Sequence, residues 1–227
     1  MTDVAPTAPP AVEPLGESRW PPVATLAVFI AITVTVRLWL PGGGPYRVHW
    51  LVPAVETLVL VAVLVGDPGN VAKPKRLHRV SVALVLLLVA AALWATGILV
   101  YDLIKGIGDA NEPDELLASG ALVWLGNNLA FGLFYWLVDG GGPIARSTLL
   151  APVDFAFPQD MNPEITPPGW HATFLDYLYL GFTNSTAFSP TDVMPLTHRA
   201  KAAMVVQSTA ALLLFGLIVA RAVNAFT

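Results

Sequence analysis

Cysteine is absent from the 227-residue sequence. That excludes disulfides, thiolate metal sites and cysteine nucleophiles together. Charge is the second scarcity: only 12% of residues are Asp, Glu, Lys or Arg, about half the share of an ordinary soluble domain. These charges fall in the gaps between long apolar runs. With 55% hydrophobic residues and a mean hydropathy of +0.64, the solvent for most of the surface is lipid. No basic stripe with interleaved aromatics is present, which excludes a nucleic-acid partner. Gly-x-Ser-x-Gly and His-Glu-x-x-His are also missing, and no nucleophile can be paired with a base. His78, His171, Asp176 and His198 lack the close helical spacing that metal ligation prefers. The expectation is a protein that is not an enzyme, with no metal and no cofactor. The triple glycines starting at Gly42 and Gly140 have no strand-to-helix context, so they read as turns rather than phosphate loops.

What is present is a series of apolar runs. A bilayer core of about 30 Å needs about 20 residues of helix. Runs from Pro21 to Leu40, about Val80 to Ile104, about Leu116 to Val138 and about Ala200 to Phe226 meet or approach that length. The shorter run Trp50 to Gly66 contains Pro53 and Glu56 and pairs with the first. The fold class expected is an all-α membrane protein with five transmembrane helices. Tryptophans 20, 39, 50, 124 and 136 lie near segment ends, where the headgroup level attracts them. Residues 1–20 are Pro/Ala-rich, with neither an apolar stretch nor a basic start. They predict a disordered tail rather than a secretory signal. Residues 21–104 then form a three-helix region, and 139–170 an extended polar linker.

Between that linker and the last run, the apolar part Phe174 to Phe182 covers about half a span. Two readings are open: a helix lying on the membrane surface, or a half-helix over 171–185 that dips into the membrane and returns. The stretch Leu178 to Thr186 resembles the end of a potassium-channel pore helix. Asp192, Pro195 and Thr197 match the acid after the filter and the residues leading into the inner helix. Arg199 opens that inner helix, and Gly216 sits at the place of its hinge. The resemblance implies a pore-like module over 116–227, with outer helix 116–138, altered filter 186–192 and inner helix 199–226. It implies a homo-oligomer, tetrameric if channel-like, with monovalent ions as passengers. Where the family reads Thr-Val-Gly-Tyr-Gly-Asp, this chain reads Ala187-Phe188-Ser189-Pro190-Thr191-Asp192. Ser189 and Thr191 replace the glycines whose backbone freedom the carbonyl ring requires, and Pro190 fixes φ between them. A potassium-selective filter is therefore excluded. The residues expected at the constriction are Thr186, Ala187, Phe188, Ser189, Pro190, Thr191 and Asp192. The whole chain also resembles a family of bacterial integral membrane proteins with no assigned activity, through Lys73–Arg79 and Phe174–Tyr179. The functional expectation is a channel-like or transport-related protein; the alternative is a non-conducting scaffold or accessory subunit.

Polar residues inside spans are functional candidates because hydrocarbon penalises them. Glu56 reads as a proton or cation site, as the partner of Arg37, or as a snorkelling side chain. Arg37 and Arg221 lie near helix ends and read as snorkelling. Asn127 and Asn128 read as interhelical hydrogen-bonding groups. Gln207 and Ser208 form a polar belt in the last helix, with Gln207, Ala211 and Phe215 on one face that could border a cavity.

The basic loop 67–79 is the densest cluster of Lys and Arg, while 106–116 is acidic. The positive-inside rule places loop 67–79 in the cytoplasm, for a multi-pass protein of the cell (inner) membrane. The half-helix then enters from the cytoplasmic side, opposite in polarity to a potassium channel. Since the chain has no native thiol, Ala72→Cys, Ala110→Cys, Leu150→Cys and Thr227→Cys can test this singly. An impermeant maleimide added outside intact cells should label the variants at 110 and 227 and spare those at 72 and 150. Labelling at 72 from outside would invert the orientation.

Overall fold

The computed structural model describes residues 17–39, 51–66, 75–105, 113–147, 152–186 and 192–225. Helix α1 (Trp20–Trp39) opens on Pro21 and Pro22, whose fixed φ suits a first helical turn. Helix α2 (Leu51–Gly66) carries Pro53 in its first turn, where no intrahelical N–H partner is lost. Helices α3 (Lys75–Lys105) and α4 (Pro113–Val138) follow. A 3₁₀ turn at Asp139–Gly141, a short α5 (Pro143–Ser147), strand β1 (Phe155–Ala156) and α6 (Pro158–Met161) come next. Then come α7 (Phe174–Thr186), strand β2 (Met194–Pro195) and α8 (His198–Ala225). The five apolar runs thus appear as α1, α2, α3, α4 and α8.

By length and apolarity, three of the described helices can cross a membrane: Arg76–Lys105, Leu117–Gly141 and His198–Ala220. The apolar helices over Trp20–Val34 and Pro53–Val65 are shorter. Exposed Val28, Leu58, Leu86, Leu87, Trp94, Leu212, Leu213 and Val219 cover the outside of α1, α2, α3 and α8. In water so continuous an apolar surface would drive association, whereas in lipid it is ordinary.

Helix α4 is the hub. Its apolar stretch is 67% buried, against 28% for those of α3 and α8, so the other helices are arranged around it. Its fully buried Leu133, Tyr135 and Trp136 meet Phe174, Tyr177 and Leu180 of α7. Edge-on aromatic pairs join Trp136 to Phe174 at 5.6 Å and Tyr135 to Phe155 at 5.2 Å. Two of the tryptophans expected at the headgroup level pack inside the protein. Trp136 is buried, and Trp124 packs edge-on against Phe182 of α7 and Phe215 of α8. Trp20 is exposed at the start of α1.

Two glycines bring α7 and α4 into backbone contact. A Cβ on Gly132 would lie 3.2 Å from Leu178 Cα, and one on Gly181 would lie 3.1 Å from the Asn128 carbonyl oxygen. Close approach through small residues is how helices associate in lipid, where burial of apolar surface gives no drive.

Residues 139–170, expected to be an extended linker, instead contain α5, β1 and α6. The strands pair antiparallel, Phe155 with Pro195 and Ala156 with Met194. Phe155 and Phe157 are buried against Tyr135 and Tyr177, so the stretch folds back on the bundle. The expected tail 1–20 also changes character at its end, because Glu17 packs into the protein. Substituting Gly132→Val or Gly181→Val should separate α7 from α4. The expected cost is about 1–3 kcal/mol, read as a lowered Tm in detergent, while Gly97→Ala, with open space around it, should be silent.

Candidate functional site

The polar residues of the bundle gather in two tiers, one at the end of the bundle where α4 stops and one within it. The end tier is organised by Asp139. Its Oδ1 accepts from the backbone N–H groups of Asp154 and Phe155, and its Oδ2 accepts from the Tyr177 hydroxyl. Arg146 folds back over the end of α4. Its Nη1 donates to the Trp136 and Asp139 carbonyls at 2.7 and 2.8 Å, capping the C-terminal end of α4 and complementing the helix dipole. The same guanidinium lies 4.8 Å over the Tyr177 ring, a cation–π contact. The fold back requires Gly140, Gly141 and Gly142, all at positive φ. A Cβ on Gly142 would meet His78 Cε1 at 2.6 Å, so α3 also begins at this end.

Glu17 joins the tier from the far end of the sequence. Its Oε1 accepts from the Phe174 N–H at 2.5 Å and its Oε2 from Trp136 Nε1 at 2.8 Å. Arg146 Nη2 stands 3.6 Å from that second oxygen. A carboxylate at the first N–H groups of α7 is favoured by the helix dipole. Asp176, expected at that helix start, accepts from the Thr173 N–H and hydroxyl, both at 2.8 Å. Asp154 completes the tier. Arg199 grips it with Nε and Nη2 at 2.7 and 2.6 Å, and Thr197 donates its hydroxyl. The Leu196 N–H donates to the Asp154 carbonyl at 2.7 Å. The start of α8 is thereby tied through Asp154 and Asp139 to the end of α4.

The inner tier is a seam joining α7 to α4 and α8. Gln207 Nε2 donates to the Gly181 carbonyl at 2.8 Å, and its Oε1 accepts from Tyr135 and Asn184, each at 2.8 Å. Asn184 also donates to the Met204 carbonyl at 3.1 Å. Ser208 donates to Asn184 Oδ1 at 3.1 Å, and Ser185 donates to Asn128 Oδ1 at 2.8 Å. Asn127 turns the other way and donates to Thr96 of α3 at 2.7 Å. Both asparagines thus make the interhelical bonds expected of them. Gln207 and Ser208 are engaged with α7, so the polar belt of α8 faces the short helix.

Of the filter-like set, Thr186 ends α7 and bonds back to the Phe182 carbonyl at 2.9 Å, and Asp192 is exposed. Ala187, Phe188, Ser189, Pro190 and Thr191 lie outside the described residues, as do the side chains of Arg37 and Arg221. Glu56 is fully buried on α2, beside a small cavity lined by residues of α1, α3 and α4. Among the described residues, no group of three or more His, Asp or Glu is placed to hold a metal ion. Chemically, both tiers fix helices; neither offers a nucleophile with an adjacent base.

Sequence reasoning missed Glu17, Tyr135, Asp139, Arg146, Asp154, Tyr177 and Asn184. One signal for Asp154 was present: Val153-Asp154-Phe155-Ala156-Phe157 places an acid among apolar residues inside a polar stretch.

Two of these carboxylates give the fold opposite pH slopes. Burial raises Glu17 above its ordinary 4.5, outweighing the hydrogen bonds from Trp136 and Phe174 and the charge of Arg146. Its contribution is complete below 4.5 and is lost as pH rises through the raised value. At Asp154 burial also works against ionisation. The bonds from Arg199 and Thr197, with the arginine charge, outweigh it and hold the carboxyl below 3.8. That contribution is present above 3.8 and is lost as pH falls through the lowered value. Thermal unfolding in detergent across pH should show both limbs. Glu17→Gln should remove the decline on the neutral side, and Asp154→Asn the loss on the acid side. A tenfold change in proton affinity, about 1.4 kcal/mol, moves Tm by about 3–6 °C in a chain of this size.

No protein-family model, curated protein or solved structure matches this chain.

Proposed function

We propose that the chain is a channel-like or transport-related membrane protein with five spans and a re-entrant α7. Four copies around an axis would present residues 186–192 as a pore loop that does not select potassium. The observation that carries the reading is the register of α7 along α4. Phe174 meets Trp136, Leu178 meets Gly132, and Ser185 bonds Asn128. Asn128 lies eleven residues before Asp139, roughly 16 Å at the helical rise, which is about half a bilayer core. On this reading the short helix would end near mid-depth with its polar groups met by protein, as irregular chain at that depth requires. Helix ends support five spans: the Arg19 side chain donates to the Leu64 carbonyl of α2 at 3.2 Å. The start of α1, the end of α2, the start of α3, the end of α4 and the starts of α7 and α8 then share one side, the side of the basic loop. The resemblance of Leu178–Thr197 to a pore module is the second support.

A non-conducting scaffold or accessory subunit is favoured by a different observation. Gln207, the residue best suited to an aqueous cavity, is 1% exposed and bonded to α4 and α7. Flux from vesicles separates the two. Reconstituted protein should pass monovalent cations with little preference for potassium, and Asp192→Asn should lower that flux severalfold. A monomeric particle with no flux under any gradient would overturn the channel reading and leave the scaffold.

A further inference from the structure

The Glu17 carboxylate sits among donors that come from three distant parts of the chain. The Phe174 N–H at the start of α7 donates to Oε1 at 2.5 Å, and the Trp136 indole of α4 donates to Oε2 at 2.8 Å. Trp136 is 1% exposed, so its N–H has no recourse to water. Arg146 stands on the third side, with Nη2 at 3.6 Å from Oε2. That nitrogen is shut off from solvent and makes no hydrogen bond. Glu17 therefore satisfies two donors and leaves the charged one short of contact. The chain holds it back: Trp20 opens α1 three residues on, and the Arg19 side chain is bonded to the Leu64 carbonyl of α2. A carboxylate free of the chain can move within reach of all three donors, and a guanidinium paired with a carboxylate is the strong form of such a bond. Two oxygens match the set. A phosphate would bring a second charge towards Asp139, whose carboxylate already draws on Arg146.

We propose that the Phe174 N–H, the Trp136 indole and Arg146 form a carboxylate-binding site, which Glu17 fills in cis and a free carboxylate fills when that side chain withdraws. The stretch before α1 then acts as a plug. Held on the chain, Glu17 competes at a high effective concentration, so the intact protein answers only to a carboxylate that is abundant or that engages the third donor. The ligand can arrive from water or, as a fatty acid, from lipid; the group recognised is the same. The site uses none of residues 186–192 and does not rest on the pore reading.

Chemical rescue tests this on the full chain in detergent, at constant pH and ionic strength. Glu17→Ala vacates the site and should lower Tm. Sodium acetate or formate should restore most of that loss along a saturating curve, as a ligand that binds only the folded state does. Sodium chloride should not, and the wild-type protein should respond severalfold more weakly. Adding Trp136→Phe, which deletes the indole N–H and keeps a ring, should abolish the rescue. Decanoate below its micelle concentration locates the source. A half-saturating concentration severalfold lower than that of acetate assigns the ligand to the lipid phase, and equal values assign it to water. Should Glu17→Ala not fold in plain buffer, recovery of folded protein by extraction in acetate becomes the readout. The proposal is overturned by no response or recovery with either short carboxylate, by a response equal to that of chloride, or by undiminished rescue with Trp136→Phe present. Ion flux is not the readout, so failure here leaves the pore reading to its own test.

Discussion

The carboxylate of Asp139 is the interaction on which the arrangement of the last third depends. It stands where α4 ends, and it accepts from two backbone N–H groups of the 154–155 segment and from the Tyr177 hydroxyl of α7. Each donor belongs to a segment that must leave water to reach it. A buried donor left without its acceptor costs about 1–3 kcal/mol, so the segments are located together or not at all. Arg146 makes the arrangement tolerable electrostatically by placing its charge between the carbonyls of α4, Glu17 and the Tyr177 ring. From this point the chain runs to Asp154, and from Asp154 to Arg199 at the start of α8.

The two tiers do different work on the same helix. The end tier fixes where α7 begins and at what angle the chain enters it. The seam fixes its rotation, because only one face carries Tyr177, Gly181, Asn184 and Ser185. Hydrogen bonds between apolar helices are worth only about 1 kcal/mol each, and several share Gln207 and Asn184. The contribution of the seam is therefore specificity more than strength. Gly132 and Gly181 provide the close approach that lets these short side chains reach one another.

The long helices were legible because their signal is local: apolar runs of the right length, closed by Pro-Gly turns or charge. The short α7 was legible as a helix of about half the length of a span, and Asn127 and Asn128 as hydrogen-bonding groups, because amides in an apolar run have few other uses. Glu17, Asp139, Arg146 and Asp154 were not legible as a unit. Each lies in a stretch whose composition reads as solvated, and its partners are far away in sequence. Charged side chains in a loop look the same whether water or an arginine satisfies them. The bond from the Trp136 indole N–H to Glu17 was hidden for a related reason: the two residues are 119 positions apart.

The bond from Phe174 to Glu17 spans 157 residues. During synthesis the residues at the head of the chain are made first, yet their acceptor groups wait until most of the protein has left the ribosome. Until then Glu17 can stay hydrated, and α1 can pair with α2 through their apolar faces. Glu17 is therefore closed onto α4 and α7 only after α7 has been made, and its carboxyl acts as a latch between α4 and α7. A chain cut short before α7 would keep its first helices and leave that latch open.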